Sequence, residues 1–282
     1  MLGIIGGTGI YNLEGLEVIG EHDLESPFGK PSAPIIQGKM GERELFFLPR
    51  HGRHHELLPS EVNYRANIWA LKKVGVTQVI GLSAVGSLQE EIKPGDLSLP
   101  DQYFDFIKGN REKTFFGNGL AAHVSTAEPT SKGLADGIEK AAASVDIAIH
   151  RNKTYACVDG PRLGTRAESF FLRGPAGCDL VGMTNVPEVF LAREAQISYC
   201  TIAIATDYDC WLDDPSQHVS VEQVIARYGA SLKKAKKVLT AYINMPEETF
   251  HCPARTSLAS AVLTPKEVLS ESNKALLELL SA

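Results

Sequence analysis

Two acidic residues, Asp207 and Asp209, lie just after the apolar run at residues 197–205. A carboxylate beside a buried strand is disfavoured unless it is paired or hydrogen-bonded, so both side chains are candidates for binding a ligand. An ionised carboxyl accepts hydrogen bonds, and a protonated carboxyl also donates one. The pair therefore suits an aminopurine edge, where an exocyclic amine lies beside the N7 acceptor, better than a 6-oxopurine edge. An ordinary turn or cap is the alternative.

A dense cationic segment at residues 50–55 follows another apolar run, at residues 45–48. Arg50 offers a fork of N–H donors that matches phosphate oxygens, and His51 can donate to the same anion. A solvated charged loop is the alternative. His54 and His55 could extend the segment into a metal site, but no carboxylate or cysteine completes a recognised ligand spacing. The segment therefore favours anion binding over metal binding.

A glycine-rich turn at residues 6–9, Gly-Gly-Thr-Gly, follows the first apolar strand. Glycines allow backbone N–H groups to close around an anion, so this turn and Thr8 are candidates for a phosphate site. A plain tight turn explains the same residues equally well. The pattern matches neither the dinucleotide-binding fingerprint nor the P-loop, so those two functions lack their required residues.

The candidate residues lie at the ends of predicted strands, in a chain where strands and helices alternate. This alternation predicts a mostly parallel or mixed sheet covered by helices, and ligands bind such sheets at the carboxyl ends of strands. Predicted strands span residues 2–5, 33–37, 45–48, 77–82, 97–99, 153–158, 180–183 and 197–205. Predicted helices span residues 61–73, 131–144, 166–173, 186–195, 219–242 and 265–280, with Ser60 and Thr264 as N-caps and an irregular segment at residues 101–131.

The chain has 282 residues and a formal net charge of −6, with no shift in composition that marks a domain boundary. We therefore expect one α/β domain over residues 1–282, with residues 250–282 as its C-terminal helical segment. The negative charge argues mildly against a nucleic-acid partner. There is no signal peptide, no apolar run of roughly 18 residues and no CxxC pair among the five cysteines, so we expect a cytoplasmic protein with free thiols and no membrane partner.

Taken together, these segments resemble the purine-nucleoside phosphorylase superfamily, and most closely its methylthioadenosine phosphorylase branch. The matching pieces occur in family order from residue 3 to about residue 235. They are Gly-Gly-Thr-Gly at 6–9, Pro-Arg-His-Gly-Arg at 49–53, Pro-Ser-Glu-Val-Asn-Tyr-Arg-Ala-Asn-Ile-Trp-Ala at 59–70, Ala-Val-Gly-Ser-Leu at 84–88, Gly-Pro-Arg at 160–162, Arg-Ala-Glu-Ser at 166–169, Met-Thr-Asn-Val-Pro-Glu at 183–188 and Ala-Thr-Asp-Tyr-Asp-Cys-Trp at 205–211. The resemblance implies the nucleoside phosphorylase fold, a mixed, largely parallel and partly barrel-like sheet flanked by helices.

The resemblance also implies a role for each matching position. The residues around phosphate would be Thr8, Arg50, His51, Ser83, Ala84 and Thr184. Met183 would lie against the ribose, Asp207 would face N7 of the purine, and Asp209 would support the 6-amino group. The 5′-alkylthio pocket would be lined by Val221, Val224 and Ile225, which by their helical spacing alone would be core residues. His123 would approach the 5′ position of a neighbouring subunit, and Leu163 stands where the branch often has a phenylalanine stacked on the purine.

The activity that the resemblance implies is phosphorolysis of S-methyl-5′-thioadenosine to adenine and 5-methylthioribose 1-phosphate, a pentosyl transfer in purine and methionine salvage. Arg50, His51 and Asp207 would be the catalytic residues, inorganic phosphate the co-substrate, and no metal or organic cofactor would be needed. Such enzymes are homotrimers or homohexamers. A phosphorylase for 6-oxopurine nucleosides or methylthioinosine is one alternative, and a non-catalytic nucleotide-binding regulatory module is another.

Overall fold

The computed structural model of the chain describes residues 1–7, 13–212, 221–246 and 250–282. Over residues 221–228 and at residue 230 this description covers the helical backbone only. Within the described residues, nine strands form one sheet: β1 (Leu2–Gly6), β2 (Glu17–His22), β3 (Ile35–Met40), β4 (Arg43–Pro49), β5 (Gln78–Ser87), β6 (Leu97–Asp105), β7 (Ile149–Cys157), β8 (Leu180–Gly182) and β9 (Ser198–Asp207).

The sheet closes partly on itself, because β5 pairs with both β8 and β9. Strands β5, β8, β7, β6 and β9 follow one another around a ring, and β9 returns to β5 in parallel from Gln78↔Ser198 to Gly86↔Asp207. Strands β1, β4, β3 and β2 extend the sheet from the amino-terminal half of β5. The sheet is mixed, with antiparallel pairs at β2–β3, β3–β4, β5–β8 and β6–β9 and parallel pairs at β1–β4, β1–β5, β5–β9, β6–β7 and β7–β8. The expected barrel-like α/β architecture is confirmed.

Six α-helices lie in the described residues: α1 (Tyr64–Lys73), α2 (Lys132–Ser144), α3 (Arg166–Arg173), α4 (Asn185–Glu194), α5 (Val221–Asn244) and α6 (Glu271–Ser281). Helix α3 begins with a capping box, in which Thr165 accepts from the Glu168 N–H and Glu168 accepts from the Thr165 N–H. No helix in the described residues combines the length and apolarity that crossing a membrane requires.

Two predicted helix starts are wrong. Asn63, not Ser60, caps α1 and accepts from the Ala66 N–H at 3.1 Å, because residues 58–62 form turns of their own. Thr264 does not start a helix, because its hydroxyl accepts from the Ala121 N–H at 2.8 Å and the backbone of Pro265 is extended. A short 3-10 helix at Lys266–Val268 follows, and Ser270 then caps α6.

Two strands differ from the prediction for reasons of burial. Strand β2 was not predicted, because it is an edge strand whose residues are mostly exposed and carry no apolar alternation. Strand β6 continues to Asp105, six residues past its predicted end at residue 99, because residues 102–105 pair in parallel with β7. Its second half is less buried and lacks the apolar run of the first half, so only the long-range pairing reveals it.

A carboxylate at the end of α4 makes the stability of the fold depend on pH. Glu194 accepts from the Thr114 hydroxyl at 2.7 Å and from the Phe115 N–H at 2.8 Å. Burial raises the pKa of this carboxyl to about 7, and the two hydrogen bonds oppose that shift only in part. Between the ordinary carboxyl pKa and pH 7 the folded chain therefore binds more protons than the unfolded chain, so stability falls as pH rises through this window.

We expect Glu194→Gln to flatten the pH dependence of the free energy of unfolding between pH 5 and pH 8, a dependence worth about 1–3 kcal/mol in the wild type. The difference between wild type and variant, measured by urea unfolding at several pH values, isolates this group from other titrations. Parallel pH profiles for the two proteins would contradict this role of Glu194.

Candidate active site

Arg50 lies at the carboxyl end of β4, beside the last residue of β1, Gly6. The register pairs Gly6 with Pro49, and the Arg50 N–H donates to the Gly6 carbonyl at 2.9 Å. The Arg50 side chain is only 2% exposed. Gly6, the first residue of the glycine-rich segment, therefore lies next to Arg50, and Thr8 falls outside the described residues.

A carboxylate holds the buried guanidinium of Arg50. Nε donates to Glu188 Oε2 at 2.6 Å, Nη2 donates to Glu188 Oε1 at 2.7 Å, and Nη1 donates to the Leu82 carbonyl at 2.8 Å. Burial alone lowers the pKa of Arg50, but the Glu188 carboxylate outweighs it and raises the pKa above its ordinary value. Arg50 therefore stays a fixed cation at the end of the sheet.

Two hydroxyl groups converge beside this cation. Ser83 directly follows the Leu82 carbonyl that Arg50 contacts, and its Oγ lies 3.5 Å from Thr184 Oγ1 and 3.2 Å from the Tyr155 hydroxyl. Both Ser83 and Thr184 are buried, whereas Ala84 is exposed. The structure thus brings together three of the predicted phosphate ligands from β4, β5 and the start of α4.

His51 follows Arg50 and carries its hydrogen on a defined nitrogen. Its Nδ1 lies 2.8 Å from the Leu57 carbonyl, which can only accept, so Nδ1 is the donor. Burial, followed by the charge of Arg50, lowers the pKa of His51 to about 4. At neutral pH His51 therefore presents the lone pair of Nε2, and it can donate to an anion from that nitrogen only after taking up a proton.

The two aspartates lie at the end of β9, opposite Gly86 of β5. Asp207 Oδ2 accepts from the Thr206 hydroxyl at 2.7 Å, and Oδ1 accepts from the Asp209 N–H at 2.7 Å. Burial raises the pKa of Asp209. A Cβ at residue 86 would lie 3.1 Å from Asp207 Oδ1 and 3.2 Å from Asp209 Cβ, so the absence of a side chain at Gly86 makes room for the pair.

Met183 lies between the hydroxyl cluster and the loop that carries Leu163. Met183 packs directly against Gly160, because a Cβ at Gly160, where φ is +66°, would be only 2.5 Å from Met183 Sδ. Leu163 itself is 46% exposed. Arg111 ties these segments together, because it donates to the Met183 carbonyl at 2.7 Å and to the Asp159 carbonyl at 2.8 Å.

The remaining predicted site residues are not brought to this cluster by the described contacts. The His123 N–H donates to the Ala261 carbonyl at 2.9 Å, which places His123 beside the C-terminal segment. The side chains of Val221, Val224 and Ile225 lie outside the described residues, although their backbone forms the first turns of α5. Their assignment to a 5′-alkylthio pocket stays a prediction.

Two charged residues of the cluster were missed by the sequence analysis, Glu188 and Arg111. Glu188 is the last residue of the Met-Thr-Asn-Val-Pro-Glu segment, and it is a charged residue within an apolar stretch that extends to residue 192. A buried charge requires a partner, so this position could have been paired with a cation. Arg111 gave no such signal, because it lies among polar residues. In the part of the chain that is described, no three His, Cys, Asp or Glu side chains form a group able to hold a metal.

Comparisons with known proteins agree with this geometry. The family model of the phosphorylase superfamily matches residues 1–244. A protein of Geobacter sulfurreducens named S-methyl-5′-thioadenosine phosphorylase is 43% identical over 280 residues, which cover 99% of this chain and 97% of the relative. A relative of the same name from Rhodospirillum rubrum is 46% identical over 267 residues, which cover 94% of this chain and 90% of the relative.

Solved structures give the same result. A methylthioadenosine phosphorylase from an antarctic soil metagenomic library superposes with a TM-score of 0.91 at 42% identity, covering 99% of this chain and 98% of that chain. The Schistosoma mansoni methylthioadenosine phosphorylase in complex with adenine superposes with a TM-score of 0.81 at 38% identity, covering 86% of this chain and 90% of that chain. The chain belongs to the phosphorylase superfamily, in its methylthioadenosine phosphorylase branch.

Proposed function

We propose that this protein catalyses the phosphorolysis of S-methyl-5′-thioadenosine, releasing adenine and 5-methylthioribose 1-phosphate. The observation that carries the proposal is the convergence of the Arg50 guanidinium with the Ser83 and Thr184 hydroxyls, at the sheet edge where Asp207 also lies. A fixed cation beside hydroxyl donors suits a phosphate ion, and a carboxyl pair suits an aminopurine. The names of the relatives point to the same substrate.

In this mechanism phosphate attacks the anomeric carbon from the face opposite the purine, so the configuration at that carbon is inverted. The C1′–O bond forms as the C1′–N9 bond breaks, and the sugar becomes cationic in the transition state. Arg50, Ser83 and Thr184 hold the phosphate in line, and its negative charge stabilises the developing cation.

The electron pair of the broken bond goes to the purine, which gathers negative charge as it leaves. Asp207, protonated before the glycosidic bond breaks, relieves that charge by donating a hydrogen bond or its proton at N7. Asp209 accepts from the 6-amino group, and Met183 packs against the ribose. An oxygen at position 6 would instead face Asp209 as a second acceptor, so the pair favours adenine nucleosides.

We further propose that the protein works in the cytoplasm as a single domain, with phosphate as its co-substrate and no metal or organic cofactor. A homotrimer or a homohexamer is the proposed assembly, with His123 near the site of a neighbouring subunit. The net charge of −6 is in keeping with a small-molecule partner rather than nucleic acid.

The experiment that tests the activity is a base-release assay with S-methyl-5′-thioadenosine, adenosine, inosine and methylthioinosine, each with and without phosphate. We expect phosphate-dependent adenine release, fastest with S-methyl-5′-thioadenosine. Base release that is equally fast without phosphate would indicate a hydrolase. Faster release from inosine or methylthioinosine would favour the 6-oxopurine alternative, and no release from any substrate would favour a binding module.

Leu163 gives a further prediction about the purine. Leu163→Phe would add a ring next to the proposed base site, and aromatic stacking contributes about 0.5–1.5 kcal/mol beyond buried area. We expect KM for S-methyl-5′-thioadenosine to fall about 2- to 10-fold, with KM for phosphate unchanged. Val268→Phe, which places a ring at another exposed position, is the matched control. An unchanged nucleoside KM would remove Leu163 from the base site.

A further inference from the structure

The carboxylate of Glu188 is buried between α4 and the sheet and accepts hydrogen bonds on both oxygens. Its side chain is 1% exposed, and it accepts from Arg50 Nε and Nη2 and from the Tyr199 hydroxyl, the last at 2.7 Å. A Cβ at Gly81 would collide with the Tyr199 hydroxyl and would lie 3.2 Å from Glu188 Oε1. The strand is therefore built to leave room for this contact.

Tyr199 fixes the orientation of the Glu188 carboxylate. Burial raises the pKa of Tyr199 well above its ordinary value, so the phenol keeps its hydrogen and donates it to Glu188. The phenol oxygen in turn accepts from Asn185 Nδ2 at 2.8 Å, and the same amide donates to Thr201 at 2.6 Å. A hydrogen-bonded chain from β9 to α4 thus supports the carboxylate.

The contacts of Arg50 leave a defined part of its guanidinium for a ligand. The group carries five N–H donors, and among the described residues Nε, one N–H of Nη2 and one N–H of Nη1 are used. One N–H remains on each terminal nitrogen. Two adjacent donors of this kind match the two oxygens of a phosphate, and Ser83 and Thr184 lie on the neighbouring segments.

We propose that Glu188 is a positioning residue for phosphate: its carboxylate, held by Tyr199, turns the Arg50 guanidinium so that its terminal N–H pair faces the site of the attacking oxyanion. This inference rests on the proposed function. Glu188 does not touch the reacting atoms and acts through Arg50. It also compensates the buried cation, so Arg50 keeps its orientation before phosphate arrives, and binding requires no rearrangement of the side chain.

A purely structural role for Glu188 makes a different prediction. Loss of a structural ion pair would lower the stability and the fraction of active enzyme, and both Michaelis constants would stay the same. Loss of a positioning contact would raise KM for phosphate selectively, because only the oxyanion contacts depend on the guanidinium orientation. The ratio of the two KM changes therefore separates the roles.

The experiment compares Glu188→Gln, Tyr199→Phe and Glu194→Gln with the wild type. Glu194→Gln is the matched control, because it makes the same chemical change on the same helix at a carboxyl that contacts Thr114 and Phe115. Phosphate and nucleoside are each varied in steady-state assays, and phosphate binding is also titrated calorimetrically without nucleoside.

We expect Glu188→Gln to raise KM and Kd for phosphate about 10- to 100-fold, as loss of residues that orient ligating groups does elsewhere. Tyr199→Phe should raise them about 2- to 10-fold. The nucleoside KM should stay within about twofold in both, and Glu194→Gln should match the wild type in all constants. If Glu188→Gln does not fold, Tyr199→Phe alone decides the question in the same way.

Unchanged phosphate constants in Glu188→Gln or, failing its folding, in Tyr199→Phe would overturn the inference, as would equal rises in both KM values. The calorimetric titration distinguishes a wrong inference about Glu188 from a wrong proposed function. A wild type that binds phosphate without turnover refutes the proposed activity, while weaker phosphate binding by the variants still supports the role of Glu188. A wild type that does not bind phosphate refutes both.

Discussion

Replacing Arg50 with glutamine is expected to lower kcat/KM for phosphate roughly 10³-fold, since a single preorganised donor to a developing charge is worth about 10²–10³ and Arg50 supplies two donors and a full charge. The wild-type guanidinium is buried and already oriented by Glu188 and Leu82. A water molecule in the variant would lack both this charge and this fixed orientation. The measurement is the initial rate of adenine release as phosphate is varied at saturating nucleoside.

Loss of folding must be separated from loss of catalysis in this variant. Arg50→Gln leaves the Glu188 carboxylate buried without its cation, and breaking a buried pair in this way costs about 3–5 kcal/mol of stability. The double variant Arg50→Gln/Glu188→Gln removes both charges, so most of that loss should be recovered. Activity should not recover with it. A stable double variant with wild-type dependence on phosphate would show that Arg50 is not a phosphate ligand.

Replacing Asp207 with asparagine is the second change with a large expected effect. An amide cannot protonate the departing purine, so kcat with S-methyl-5′-thioadenosine should fall about 10²- to 10³-fold, the range typical of general acid–base groups. The kcat with inosine should fall less or rise, because O6 lies beside N7 on the same purine edge and an amide at residue 207 can donate to it. The amide of asparagine has one acceptor oxygen, which can keep the hydrogen bond from the Asp209 N–H, and the Thr206 hydroxyl can turn to accept from the amide nitrogen.

The readout is the ratio of kcat/KM for the two nucleosides, which is insensitive to the fraction of folded enzyme. Asp101→Asn, an identical chemical change at an exposed position of β6, controls for the loss of one carboxylate from the surface. If the ratio of kcat/KM values in Asp207→Asn equals that of the wild type, Asp207 does not distinguish the two purines. Asp207→Ala should lose activity with both nucleosides.

Much of the fold follows from local patterns. Helix α3 has the predicted bounds, residues 166–173, because a capping box at its start and a glycine after its end are encoded within ten residues. Strand β9, buried at every position, is predicted from the mostly apolar segment at residues 197–205. Strand β2 and the outer half of β6 were not predicted, because exposed strands depend on pairing partners far along the chain rather than on their own composition.

The site also contains residues that the sequence predicts and contacts that only the folded chain reveals. Arg50 and Asp207 were identified from their positions at the ends of predicted strands, because the carboxyl ends of neighbouring strands meet at one edge. Ser83 and Thr184 were implied by the family resemblance. The pairing of Arg50 with Glu188 joins positions 138 residues apart, and no local pattern specifies it. The tautomer of His51 likewise depends on the Leu57 carbonyl, which only the folded turn places next to Nδ1.

A crystal structure of the protein with phosphate and adenine would show whether Arg50 and Asp207 contact these two ligands. We expect phosphate oxygens within about 3 Å of the terminal nitrogens of Arg50 and of the Ser83 and Thr184 hydroxyls, with N7 of adenine at a similar distance from Asp207. Phosphate bound away from Arg50, or adenine bound with its N7 edge turned from Asp207, would contradict it.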